Sequence, residues 1–244
     1  EKQAALFKRI ANKEMVTPDT WEVALSGGAD KKETFERLMA EGNLGALAFL
    51  RNLRNMVNAG VAEAQIRTYA KTVDVSKVLP FRYISAAKVV PQLEDMLEDM
   101  MLRSLKEMPK LPGRTVLLVD VSASMWHGNV SKKSDLNRFE AAAALAMLAR
   151  ETCEDVAIYT FSYNVVRVKP RHGFALADQL RNSQSNSGTD LDLAVRKINE
   201  SEPYDRLIVF TDEQSSSAVP NPKGKGYVLN VASYENGINS GAYT

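Results

Sequence analysis

The run from Thr115 to Ser124, TVLLVDVSAS, sets one carboxylate and two hydroxyls on a short loop: Asp120, Ser122 and Ser124. All three are hard oxygen donors, the ligand type that suits Mg²⁺ or Mn²⁺. The loop follows four consecutive apolar residues, Val116, Leu117, Leu118 and Val119, with no polar face among them. Such a run reads as a strand buried on both sides of a parallel sheet. In sheets of that kind, functional groups collect beyond the carboxyl ends of the strands.

Serine-rich turns are common, so Asp-x-Ser-x-Ser is a weak signal alone. Two later stretches add to it. Ser187-Gly188-Thr189-Asp190 precedes a helix-like segment, and Leu207 to Thr211 is a second apolar strand that runs into Asp212. In this order the pieces resemble the metal-ion-dependent adhesion site of von Willebrand factor A domains. The resemblance implies Thr189 and Asp212 as the remaining ligands of an octahedral Mg²⁺, with Mn²⁺ as the alternative ion. It implies direct contact from Ser122 and Ser124, aspartates acting in part through water, and an open position for an Asp or Glu of a partner protein. The competing reading is a doubly wound sheet with polar loops and no ion.

Composition excludes little. The chain has 244 residues and a formal net charge of +1, so no global charge calls for a nucleic-acid or membrane partner, although a local basic face would serve RNA. Cys153 is the single cysteine, which rules out an internal disulfide and fits a reducing, cytoplasmic setting. No apolar run approaches the length of a membrane span. No motif places a base for catalysis and no Gly-x-x-x-x-Gly-Lys-Ser/Thr loop is present, so the expected function is not enzymatic. His127, near the metal loop, is the one side chain to weigh against that.

The elements before the loop read as short helices. Residues 1–17 carry apolar Ala4, Leu6, Phe7 and Ile10 with basic Lys2, Lys8, Arg9 and Lys13, a small amphipathic helix that packs on a neighbour or touches RNA. Asp30 and Glu33 suit an N-cap and its box partner, with Phe35, Leu38 and Met39 on one face. Gly42 stops that helix and Asn43 can cap the next, whose stripe reads Leu44, Leu47, Leu50 and Leu53. Arg51 and Arg54 share an adjacent face, among Asn52, Asn55 and Asn58. Arginine and asparagine can grip phosphates and base edges, or simply cover a helix surface. Val61 to Lys71 reads as a helix with Ile66 and Tyr69 inward. Phe81 to Val90 is a short one with Arg82 and Lys88 outward, and Pro91 opens one with Leu93, Leu97, Met100 and Met101 buried.

Pro109 to Gly113 punctuates the chain. The pattern changes there, so the expected division is a small all-helical, helical-repeat-like domain over 1–112 and an α/β doubly wound, Rossmann-like domain over 113–244. In the second, Phe139 to Leu148 forms a strongly apolar helix, Val156 to Phe161 a buried strand, Val165 to Val168 an antiparallel edge strand, and Tyr227 to Val231 a last strand. An ordinary A domain adds a helix and one more strand and helix, so this one is expected to be reduced or truncated.

Taken together, Leu44 to Met56 (LGALAFLRNLRNM), Leu79 to Ala87 (LPFRYISAA) and Thr115 to Met125 (TVLLVDVSASM), with Ser187 to Asp190 and FTDE at Phe210 to Glu213, resemble the Ro60 family. Its members join a helical-repeat TROVE domain to a von Willebrand factor A domain. The resemblance implies a ribonucleoprotein component whose basic helical face binds small noncoding RNA and whose ring accepts single-stranded ends of misfolded RNA. The helical part here is a fraction of what such a ring takes. The cations that could form a phosphate footprint are Lys8, Arg9, Lys13, Arg51, Arg54, Arg82 and Lys88. The alternative is a metal-dependent protein-interaction module without RNA.

Overall fold

The computed structural model describes residues 2–14, 18–106, 108–132, 134–212, 218–232 and 243. The chain divides into two compact units, Glu1–Asp74 and Val75–Thr244. The change of pattern at Pro112 therefore marks where the sheet begins. The compact unit that holds the sheet begins earlier, because two helices before Pro112 pack on helices that follow it.

The first unit is helical: α1 (Lys2–Ala11), α2 (Trp21–Ser26), α3 (Lys31–Ala40), α4 (Ala46–Asn58) and α5 (Glu63–Thr72). Thr20 caps α2, and Asp30 caps α3 by accepting from Glu33 N at 2.9 Å. Phe35 and Leu38 are fully buried. Two expectations change in detail. Asn43 does not cap α4; its N–H closes the end of α3 on Leu38 O, beside Gly42 at φ 69, and Gly45 is the N-cap. Starting there, α4 turns Ala46, Phe49, Leu50, Leu53 and Met56 inward and leaves Leu47 exposed. On α1, Leu6, Phe7 and Ile10 are 44%, 68% and 52% exposed, so the expected packing of that helix on a neighbour is not seen among the described residues.

The second unit opens with α6 (Pro80–Val89), a 3₁₀ turn at Pro91–Leu93 and α7 (Glu94–Leu105). Pro80 occupies the first helical position, where its missing N–H costs nothing. The sheet follows: β1 (Leu111–Asp120), β2 (Cys153–Phe161), β3 (Val165–Val168), β4 (Arg206–Thr211) and β5 (Lys225–Asn230), in the order β3-β2-β1-β4-β5. Only β3 is antiparallel, against β2, as its short length and turn predicted. Between strands lie α8 (Ala123–His127), α9 (Arg138–Thr152), α10 (Gly173–Arg181) and α11 (Leu191–Ser201).

Val116 to Val119 are all fully buried, because both faces of β1 are covered. Val116 and Leu118 pack with Leu191, Val195 and Ile198 of α11, while α9 lies against β1, β2 and β4. Alternating apolar residues would leave one face wet; a continuous run does not. The helices before Pro112 join this layer. Lys88 of α6 reaches Glu140 of α9 at 2.9 Å, and Glu98 of α7 accepts from Phe174 N on α10 at 2.7 Å. Gly173 takes φ 56, and a Cβ there would also displace that carboxylate, so any other residue at this crossing is strained. Among the described residues no helix is long and apolar enough to cross a membrane.

Candidate functional site

The chain runs from β1 to β2 on one side and later returns to β4 on the other. The carboxyl ends of β1 and β4 thus flank the point where the strand order reverses, the usual place for a crevice in an open α/β sheet. Parallel register sets Val119 beside Phe210 and Asp120 beside Phe161. Asp120 is therefore level with Thr211, and the following residues enter the loops together.

Asp120 is fully buried. One carboxylate oxygen accepts from Ser122 N at 2.8 Å and the other from Thr211 Oγ1 at 2.7 Å. Burial, with Asp212 nearby adding to it, pushes its pKa up to about 6, against the pull of the Ser122 and Thr211 hydrogen bonds. The hydroxyls of Ser122 and Ser124 stand 3.3 Å apart. Asp212 is also fully buried. Its Oδ2 meets Arg138 Nη1 at 2.8 Å, while its buried Oδ1 has no hydrogen-bond partner among the described residues.

Thr189 is carried by a loop fastened to the end of β2. Ser162 Oγ donates to Gly188 O at 2.8 Å and accepts from Ser187 N at 3.1 Å, and Asp190 N donates to Ser162 O at 3.0 Å. Val121 N in turn donates to Phe161 O at 2.9 Å, so this loop is tied one strand away from Asp120. The five residues singled out in the sequence thus lie on neighbouring strand ends and the loops tied to them. Sequence reasoning missed two partners. Thr211 sat unremarked as the last residue of a strand. Arg138 is 18 residues beyond Asp120 and is brought in by the loop Gly128–Asn137, closed at its base by Arg138 N donating to Gly128 O at 2.9 Å.

The donor set suits a hard divalent cation. Two buried carboxylates lie at this edge, Arg138 pairs with Asp212, and Asp212 Oδ1 makes no hydrogen bond among the described residues. Residues that could hold the ion are Asp120, Ser122, Ser124, Thr189 and Asp212. Among the described residues no group of three or more His, Cys, Asp or Glu is arranged for a metal, so softer ligand sets are not available there. His127 is exposed at the end of α8.

The candidate cations divide between the two units. Lys8, Arg9, Lys13, Arg51 and Arg54 lie in the first and Arg82 and Lys88 in the second. Arg51 and Arg54 are exposed on α4, and neither joins an ion pair among the described residues. The neighbouring amides are partly committed: Asn52 donates to Ala48 O at 3.0 Å, and Asn55 to Asn52 Oδ1 at 3.0 Å. Only Asn58 of the three is exposed. Arg82 lies over the Phe81 ring at 4.9 Å. Lys88 is committed to Asp135 O at 2.7 Å and Glu140 Oε2 at 2.9 Å, which makes it a fastener of α6 to α9.

The fold and site define a helical unit followed by a mixed α/β sheet with a polar, acidic centre at the carboxyl edge of its middle strands. The TROVE domain model matches residues 8–183, most of the chain, and the chain belongs to that family, the family of Ro60. It is 28% identical to the RNA-binding protein RO60 of Deinococcus radiodurans over 136 residues, 54% of this chain and 26% of that one. It is 34% identical to mouse telomerase protein component 1 over 88 residues, 34% of this chain and 3% of that one. The crystal structure of the Deinococcus radiodurans RO (RSR) protein superposes with a TM-score of 0.65 at 21% identity, covering 88% of this chain and 52% of that one. The chain therefore spans about half the length of the solved relative and less of the other two.

Proposed function

We propose that this chain binds RNA, small noncoding RNA or the single-stranded ends of misfolded RNA, through the outward arginine face of α4. We infer also that its sheet, a von Willebrand factor A-like domain, holds Mg²⁺ on Asp120, Ser122, Ser124, Thr189 and Asp212. The observation that carries the RNA reading is the pair Arg51 and Arg54, exposed and outside any ion pair among the described residues, in a chain of the TROVE family. A relative in that family is named for RNA binding. Guanidinium groups not neutralised by the protein are the ones that release counterions from a phosphate backbone. Lys8, Arg9, Lys13 and Arg82 extend the cationic set, and Lys88 does not.

The role of this protein is binding rather than catalysis. The buried acidic centre, with its two carboxylates and the paired serine hydroxyls, supports a structural or adhesive ion. A gel shift with a structured RNA bearing a single-stranded end, repeated across salt and with EDTA, tests the reading. Affinity that falls steeply with salt and ignores EDTA places RNA on the helices. Absence of binding at low salt favours the second reading, a metal-dependent protein-interaction module. That reading draws support from Asp212 Oδ1, a buried acceptor without a partner among the described residues, and from Ser124, half-buried at the loop. A partner's carboxylate would complete such an ion's coordination.

A further inference from the structure

Arg138 is not among the residues proposed to hold the ion, yet its pairing with Asp212 bears on how an ion would enter. Asp120 and Asp212 are both fully buried at neighbouring strand ends. Two buried carboxylates without a counter-charge are strongly unfavourable. Arg138 supplies one positive charge at 2.8 Å from Asp212 Oδ2, from a side chain only 13% exposed. The same guanidinium reaches Ser124 O at 3.5 Å, so it lies along the loop that would face an ion.

Its position is built by the fold rather than by side-chain drift. The loop Gly128–Asn137 returns the chain so that Arg138 N bonds Gly128 O. Gly128 then lies flat against the guanidinium: a Cβ there would stand 2.4 Å from Arg138 Cζ. The backbone of Gly128, at φ −110 and ψ 133, suits any residue, so a side chain there would have only to displace the guanidinium. Trp126 stacks on Phe139 at 4.1 Å and holds the start of α9 in place. Asn137 and Glu140 complete a capping box at the same helix end.

We propose that Arg138 is a built-in counter-cation for Asp212, which keeps the acidic centre folded without metal and against which a divalent ion must compete. This rests on the metal reading above. An ion held by Asp212 would share its carboxylate with the guanidinium already bound to Oδ2. Like charges so close in a poorly solvated site repel strongly. The ion therefore binds more weakly than the ligand set alone would allow, and its arrival loosens Arg138 from Asp212. The centre thereby acquires two occupied states, one with arginine and one with metal.

Two variants of the full chain separate the possibilities. Arg138→Met removes the charge and keeps much of the length. Gly128→Ala keeps the charge and pushes the guanidinium aside. Mn²⁺ binding is followed by electron paramagnetic resonance of the free ion, and thermal unfolding is recorded in EDTA and in Mg²⁺. Expected are about tenfold tighter Mn²⁺ binding by Arg138→Met, a smaller gain for Gly128→Ala, and lower stability of both in EDTA that Mg²⁺ restores. Equal or weaker Mn²⁺ binding by both variants, with the parent still binding, overturns the competition and leaves the metal site standing. No Mn²⁺ binding by any of the three proteins overturns the metal reading and this inference together. If Arg138→Met fails to fold, Gly128→Ala alone decides by the same criteria.

Discussion

Arg138 Nη1 and Asp212 Oδ2, 74 residues apart in the chain, meet at 2.8 Å and join the start of α9 to the end of β4. The pair sits beside a second buried carboxylate, Asp120, whose own partners are all neutral groups. Charge is thus unevenly matched at the crevice, and several outcomes follow from that imbalance and from the layers around it.

Asp120→Asn should stabilise the metal-free protein and abolish its response to Mg²⁺. The side-chain amide keeps an oxygen for Ser122 N and can donate to the Thr211 hydroxyl, so the hydrogen bonds survive while the buried charge is lost. Burial raises the Asp120 pKa to about 6, so folding prefers the protonated acid and the charged form disfavours the fold at neutral pH. A gain of about 1–3 kcal/mol in EDTA at pH 7 is expected, shrinking as the pH falls through 6 towards 4. Unfolding curves at pH 7 and pH 4.5 check it; a loss of stability at both would contradict the geometry.

Lys88 and the α4 arginines should behave oppositely. Lys88 fastens α6 to the capping box of α9 through Glu140 and Asp135 O. Lys88→Met should lower the melting temperature by about 2–4 °C, the shift expected for about 1 kcal/mol in a unit of this size, with RNA affinity unchanged. The double variant Arg51→Ala, Arg54→Ala should melt like the parent. Its RNA affinity should fall, with the slope of log affinity against log salt shallower by about 1–2. Titrations at three salt concentrations distinguish the two, and a salt slope altered by Lys88→Met would remove Lys88 from its structural role.

The opposite end of the sheet adds a pH dependence of opposite sign to that of Asp120. Glu202 accepts from the Tyr159 hydroxyl, pairs with Arg114 at 2.9 Å and lies 3.4 Å from Arg167. The Tyr159 bond, then Arg114, holds its carboxyl below the usual carboxylate range. A depressed acid contributes stability above its unfolded pKa and loses it as the pH falls through the folded value. Glu202→Gln should therefore cost about 1–3 kcal/mol at pH 7, with the gap to the parent closing below about pH 4. Tyr159 is pushed up to about 12, by burial first and then by Glu202, so its share persists to pH 10 and is lost as the pH rises towards 12. A constant gap from pH 3 to pH 7 would count against this assignment.

Gly188→Ala probes the loop that carries Thr189. A Cβ at Gly188 would overlap the Tyr163 ring, which packs against this loop from the end of β2. The substitution should weaken Mn²⁺ binding several-fold by shifting the loop, and Tyr163→Ala should restore it by removing the obstacle. The paired measurement is a double-mutant cycle, in which additivity would show that the two residues act apart.

The sequence by itself determined the strands and the residues at their ends. Four apolar residues running into Asp120 can only be covered on both faces, and a polar loop after such a strand must open at the sheet's edge. The same logic located Asp212 after Leu207–Thr211, and α3 followed from Asp30. Helix registers were less legible: Leu47 fits an apolar stripe by spacing, yet α4 starts at Ala46 and turns Phe49 and Met56 inward instead. Spacing gives a period, and only packing fixes its phase. Tertiary structure alone decided which cations remain available. Arg51, Arg54 and Lys88 look alike in the sequence, but Lys88 meets Glu140 across 52 residues and the arginines meet no acid among the described residues. It also decided that Arg138 enters the acidic centre, because a pairing between the first residue of a helix and the end of a distant strand leaves no local pattern. Local chemistry is written in neighbouring residues; charge compensation depends on which distant groups the fold brings within a few ångströms.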